Sequence, residues 1–115
     1  MTYALLIYKA AGSTLTEAEE QRVLARHGAL QTQTTGELRA VARLDDTRSA
    51  QTVRFDGANT TVSDGPYMES KEWLVGFYLL DCDNMQSALE HAKTICPSEA
   101  GHAIEVRPVT WTWKP

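Results

Sequence analysis

Asp64-Gly65-Pro66-Tyr67-Met68-Glu69-Ser70-Lys71-Glu72, running directly into Trp73-Leu74-Val75-Gly76-Phe77-Tyr78-Leu79-Leu80, is the stretch on which the fold turns. Gly65-Pro66 is a turn signal, because proline fixes its own φ near −65° and biases the residue before it toward extended backbone. Around that turn stand one tyrosine, three carboxylates and one lysine, more chemistry than a plain connection needs. Loops carried on a rigid scaffold hold function disproportionately, so Asp64–Glu72 is the first place to look for a site. The segment that follows, Trp73–Leu80, is apolar at alternate and intervening positions alike. That pattern marks a strand buried on both faces, hence a central one.

Outward from this strand the elements fall into two similar halves. Tyr3–Lys9 is a second strand apolar on both sides, with Tyr3, Leu5 and Ile7 on one and Ala4, Leu6 and Tyr8 on the other. After the small-residue connection Ala10–Ser13, Thr16 caps a helix and Glu19 completes a capping box. That helix runs to about Thr34, before Gly36, and turns Val23, His27, Leu30 and Thr34 inward with Leu24 beside them. Glu37–Leu44 alternates, placing Leu38, Ala40, Ala42 and Leu44 opposite Glu37, Arg39, Val41 and Arg43. Gln51–Phe55 and Thr60–Ser63 flank the hairpin turn Asp56-Gly57-Ala58-Asn59. Asp83 with Gln86 caps a second helix whose stripe is Met85, Ala88, Leu89, Ala92, Ile95 and Cys96, and Pro97 ends it. A last strand, Ala103–Val109, sets Ile104 and Val106 against Glu105 and Arg107.

The order is β-α-β, an inserted β-hairpin, then β-α-β, which predicts a ferredoxin-like α+β fold, an antiparallel sheet with both helices on one face. The chain's 115 residues make one domain, 1–115, large enough to bury roughly two-thirds of its unfolded surface. Two helices cover only one face of such a sheet, while its two central strands are apolar on both. An apolar face of that size is expected to be buried against a second copy, giving a two-fold homodimer closed as a dimeric α/β barrel. Trp111 and Trp113 alternate in the tail. They either extend a strand over their own domain or share in the dimer interface.

Eleven basic residues against 15 acidic, a net charge of −4, argue against a nucleic-acid binder, which needs a basic face to displace counterions. No apolar run approaches the ~20 residues that span a bilayer, and Tyr3–Tyr8 lacks a basic leader, so a cytoplasmic, membrane-free protein is expected. Cys82 and Cys96 read as buried, inert thiols. His27, His91 and His102 lie on separate elements without ligand spacing, so no metal and no cofactor are expected.

Asp64-Gly65-Pro66-Tyr67, Glu69, Lys71-Glu72, Gly76-Phe77-Tyr78 and Glu105-Val106-Arg107-Pro108, in that order and spacing, resemble the DGPF family of the YciI-related (YCII) superfamily. The resemblance extends over nearly the whole chain. Tyr67 stands where the motif usually has phenylalanine, and Val75 where a glycine is frequent, which narrows the space beside the central strand. The resemblance implies the dimeric α/β barrel, a bacterial origin and small proteins of largely unassigned activity, some encoded beside sigma factors. It also implies an active-site pair made of a histidine on the first helix, matched by His27, and an aspartate. Asp64 is the preferred partner here, with Asp45 and Asp46 as alternatives.

The residues themselves support a comparable list. A histidine titrating near ~6.5 suits acid–base work, and a carboxylate neighbour tunes it. Arg39, Arg43 and Arg107 are expected on the open sheet face with Tyr8, either ion-paired to Glu37 or Glu105 or forming an anion site. Tyr67, Glu69 and Lys71 would form the pocket rim. The leading reading is a homodimer binding a small, anionic or carbonyl-bearing molecule, with acid–base catalysis by His27 and Asp64. The alternative is a non-catalytic accessory module docking a protein partner such as a sigma factor. The sequence leaves open whether the protein is an enzyme.

Overall fold

The two strands that are apolar on both sides, β1 (Thr2–Ala10) and β5 (Glu72–Asp81), lie at the centre of a four-stranded antiparallel sheet. This computed structural model describes residues 1–96 and 101–115. The sheet is completed by β2 (Leu38–Arg43) beside β5 and β6 (His102–Pro108) beside β1, in the order β2-β5-β1-β6. β3 (Gln51–Phe55) and β4 (Thr60–Asp64) form a separate two-stranded hairpin, the inserted element. Helices α1 (Glu17–Gln33) and α2 (Met85–Ile95) follow β1 and β5. The expected α+β architecture is therefore present. No helix among the described residues is long and apolar enough to cross a membrane.

One core joins the helices to one face of the sheet. Tyr3, Leu5 and Ile7 of β1 and Tyr78 and Leu80 of β5 are buried against Leu30 of α1 and Ala88, Ala92 and Ile95 of α2. Antiparallel pairing explains the composition of that layer. Tyr3 faces Leu80 and Leu5 faces Tyr78, while Val106 and Ile104 of β6 lie opposite Leu5 and Ile7. The opposite face carries Ala4, Leu6, Tyr8, Phe77 and Leu79, all half-buried within the single chain, with Glu105 and Arg107 exposed at the β6 edge.

The first helix begins as its sequence dictates. Thr16 accepts from the Glu19 amide and the Glu19 carboxylate accepts from the Thr16 amide. At α2 the cap is Asn84, not Asp83: its side chain accepts from the Ser87 amide, one residue later than the spacing suggested. Pro97, expected to end this helix, lies outside the described residues. Cys82 is buried as expected, and burial pushes its thiol up, with Asp81 adding to the effect. Cys96 is exposed at the end of α2, so the apolar stripe stops at Ile95.

Two irregularities re-aim side chains. Between Leu38 and Ala40 the β2–β5 register shifts, so Leu38 faces Leu80 but Val41 faces Tyr78 and Arg43 faces Gly76. A one-residue slip moves every later side chain to the other face. Val41 and Arg43 therefore join the helix side of the sheet and Ala40 and Ala42 the other, contrary to strict alternation. On β5 the pairing with β1 steps from Gly76 opposite Ile7 to Leu74 opposite Tyr8, leaving Val75 as the extra residue. Beyond it Trp73 lies opposite Lys9.

Candidate functional site

A cleft of about 1000 Å³ opens between α1 and the sheet, on the helix side, where Val23, Leu24, His27 and Gln31 of α1 stand over β2, β5 and β6. Its floor includes Ile7, Lys9, Val41, Arg43, Trp73 and Tyr78, and the Leu44–Arg48 segment closes one end. The helix leaves this space because its inward stripe is thin. Leu30 is its only buried apolar anchor, helped by Thr34, whose hydroxyl turns back to the Leu30 carbonyl. One helical turn before Leu30 the stripe carries His27, and the sheet below carries a tyrosine in place of an aliphatic residue.

His27 is held firmly. Its Nδ1 lies 2.7 Å from the Tyr78 hydroxyl, and the two rings stack with centroids 5.6 Å apart and planes 16° from parallel. Gln31, one turn along α1, donates through Nε2 to the same hydroxyl at 3.2 Å. Burial holds the His27 ring below the ordinary histidine value, and His102, another residue lining the cleft, adds a push in the same direction. Burial pushes the Tyr78 phenol up, partly offset by the Gln31 hydrogen bond, so it stays a protonated donor. The sign for stability follows. The folded ring takes its proton at lower pH than the unfolded chain, so stability tied to the neutral ring is complete above about pH 6.5 and is lost as pH falls from there through the folded midpoint. An NMR titration is expected to place the His27 midpoint below 6.5; a midpoint above it would contradict this environment.

The charged lining is mixed. Arg48 is spent on Asp46 at 3.2 Å, and the Arg48 backbone amide holds the Asp46 carboxyl below its usual range, the guanidinium adding to this. The Ser49 hydroxyl and then the Asp46 amide lower Asp45 in the same way. Lys9 and Arg43 line the cleft and make no ion pair among the described residues. A ligand entering here therefore meets Lys9 and Arg43, the Arg48–Asp46 pair, the carboxylates of Asp45 and Glu20, the Trp73 indole and two histidines, His27 and His102.

The other expected site residues lie elsewhere. Asp64 is at the end of β4, accepting from Gln51 Nε2 at 3.1 Å, and it does not line the cleft. The aspartates that share the cleft with His27 are Asp45 and Asp46, with Glu20 of α1 as a further carboxylate. Tyr67 is exposed under the Arg54 guanidinium, 4.9 Å from its ring centre, and Arg54 also donates to the Tyr67 carbonyl. With Thr52 donating to the Gly65 carbonyl at 2.7 Å, these contacts fold the Asp64–Glu72 loop back on its own hairpin. Glu69 and Lys71 are exposed on that loop. Only Pro66 reaches a neighbouring smaller cleft of about 420 Å³ beside Trp73 and Leu74.

On the open face, Tyr8 and Arg107 stand where expected, opposite Ala103 and Ala4. Arg39 is not paired with Glu37 or Glu105. It donates to both oxygens of Asp81 at 2.9 and 3.0 Å, and Thr2 donates to Asp81 as well, which together hold that carboxyl below its usual range. Arg43 is the one arginine of the three that reaches the cleft. The residues that sequence reasoning did not single out are Tyr78, Gln31, Lys9 and Trp73. Gln31 alone had a legible signal, lying four positions after His27 and so on the same helix face.

Comparison with known proteins agrees with this architecture. The model of the YCII-related domain family matches residues 1–114. The uncharacterized protein R00369 of Rhizobium meliloti (strain 1021) is 39% identical over 116 residues, covering 95% of this chain and 92% of that protein.

Proposed function

The chain belongs to the YCII-related domain family, and from that footing we propose that it binds a small anionic or carbonyl-bearing molecule in the helix-side cleft, where the His27 ring contacts it. One observation carries this reading. His27, fixed by Tyr78, stands on the wall of a cleft that also holds Lys9 and Arg43, two cations without an ion pair among the described residues. A guanidinium and an ammonium offer a carboxylate or phosphate charge-assisted hydrogen bonds, and Trp73 offers a flat apolar surface to the remainder of the molecule. A few convergent polar anchors beside apolar and aromatic walls are the usual makeup of a small-molecule site.

Thermal unfolding against a library of small carboxylates and carbonyl compounds tests the reading. A compound present at a hundred times its Kd stabilises the folded state by about 2.7 kcal/mol, a readily measured shift. At least one such compound is expected to raise the Tm of the wild type and to lose the effect in His27→Ala. If none does at millimolar concentration, the cleft is not a binding site for this class.

The same reading extends to assembly. Ala4, Leu6, Phe77 and Leu79 form an apolar sheet face that neither helix covers, and a second copy packed face to face would bury it. Light scattering at micromolar concentration is expected to give a dimer mass for the wild type and a monomer mass for Leu79→Asp. A wild-type monomer contradicts the assembly while leaving the cleft, which lies on the opposite side of the sheet, intact.

A further inference from the structure

Tyr78 is buried at the floor of the cleft, 1% exposed, and its hydroxyl meets two partners among the described residues, His27 Nδ1 and Gln31 Nε2. A side-chain amide nitrogen has only protons to offer, so Gln31 donates and the phenol oxygen accepts. The phenol's own proton then needs an acceptor, since a buried donor left unpaired costs the desolvation of that group. His27 Nδ1 is the acceptor within reach. It fills that role only when unprotonated, and a neutral imidazole with a bare Nδ1 carries its proton on Nε2. The opposite arrangement, with Nδ1–H donating to the phenol, would leave the phenol proton without an acceptor among the described residues. The chain of bonds therefore runs in one direction, from the Gln31 amide to the Tyr78 oxygen and from the Tyr78 hydroxyl to His27 Nδ1.

The geometry points to Gln31 and Tyr78 as positioning residues that lock His27 in its neutral Nε2–H form, so that the ring serves the cleft as a hydrogen-bond donor to a ligand oxygen and not as a base. His27 lines the cleft and its Nε2 has no hydrogen-bond partner among the described residues, which leaves that N–H to a ligand. This rests on the cleft being a small-molecule site, and it narrows the ligand to one with an oxygen acceptor, a carbonyl or carboxylate, placed beside α1. A neutral imidazole N–H polarises a carbonyl without first taking up a proton, and it gives electrostatic stabilisation where negative charge develops. The depressed titration of the ring and the raised titration of the phenol agree with this arrangement.

The test needs no ligand. In the uniformly 15N-labelled full chain at pH 7.5, long-range proton–nitrogen correlations separate the two ring nitrogens of His27. The expected result is a pyrrole-like Nε2 and a pyridine-like Nδ1. Gln31→Glu, at an exposed position, reverses the chain of bonds: its carboxylate accepts the phenol proton, and the phenol oxygen then accepts from His27 Nδ1. That variant is expected to convert Nδ1 to a pyrrole-like, protonated nitrogen, with the His27 midpoint moved up. A merely structural role for Gln31 would leave the ring unchanged. A wild-type ring protonated on Nδ1, or a Gln31→Glu ring that keeps a bare Nδ1, overturns the assignment. Either result would leave the cleft standing as a binding site, whereas a failed ligand screen would remove the binding site and leave the tautomer measurement unaffected.

Discussion

Gly76→Ala is expected to destabilise the protein by about 3 kcal/mol, with a fall in Tm of roughly 10–15 °C for a domain of this size. Gly76 lies in the central strand β5, opposite Ile7 of β1 and Arg43 of β2. A methyl group there would stand 2.6 Å from the Ala42 carbonyl oxygen, with the Arg43 Cα at 3.5 Å. Those atoms belong to backbone already engaged in the sheet, so no side-chain rotation relieves the clash. β2 must move away, and β2 carries Arg43 into the cleft. The variant should lose stability and ligand response together. Urea unfolding is the measurement, and a cost below about 1 kcal/mol would mean that β2 does not approach β5 this closely. Gly28→Ala, on α1 with open space around it, serves as the control; exposed helical glycine is about 1 kcal/mol less favourable than alanine, so that change is expected to stabilise.

Leu30→Ala should cost about 3 kcal/mol, within the range for truncating a fully buried leucine. Leu30 is 0% exposed and is the only apolar residue of α1 in the core. Most helix stability in a folded protein comes from packing of its apolar face, and here one side chain supplies most of that packing. The consequence reaches the site, because His27 lies one turn before Leu30 and depends on the same seating to meet Tyr78. Hydrogen exchange should show protection lost along α1 while β1 and β5 keep theirs in folded molecules. Leu24→Ala, at a residue 55% exposed, should change stability by under about 0.5 kcal/mol. Equal costs at both positions would show that α1 is seated differently.

Much of the architecture was legible because it rests on burial patterns that a single chain displays. Tyr3–Tyr8 of β1 and Trp73–Leu80 of β5 are apolar on both faces and so had to be central, and Thr16 with Glu19 had to start α1. The inward position of His27 was legible because the helical stripe is readable through Val23, His27 and Leu30. Side-chain direction beyond a strand irregularity was not readable. Nothing in Leu38-Arg39-Ala40 announces a register shift, yet that shift carries Arg43 from the open face to the cleft. The Val75 irregularity, which sets Trp73 opposite Lys9, is equally silent.

The Asp64–Glu72 loop lies apart from the cleft for a different reason. Its charges suggested a pocket rim, but Thr52 and Arg54 bind its carbonyls and hold it against the hairpin. Those bonds come from side chains ten or more positions away, which local pattern does not encode. Tyr78 lies in a strand whose pattern marks it as buried on both faces; what the pattern could not say is that its hydroxyl meets His27. The Asp64–Glu72 stretch thus shapes a connection, while the candidate cleft lies between the first helix and the strands beneath it.

The most direct measurement compares ligand affinity across three variants. For the compound that most stabilises the wild type, His27→Ala and Arg43→Ala should each weaken binding at least tenfold, about 1.4 kcal/mol, by calorimetry. Asp64→Asn should bind as the wild type does. Retained affinity in both cleft variants together with a loss in Asp64→Asn would contradict the account and return the site to the loop.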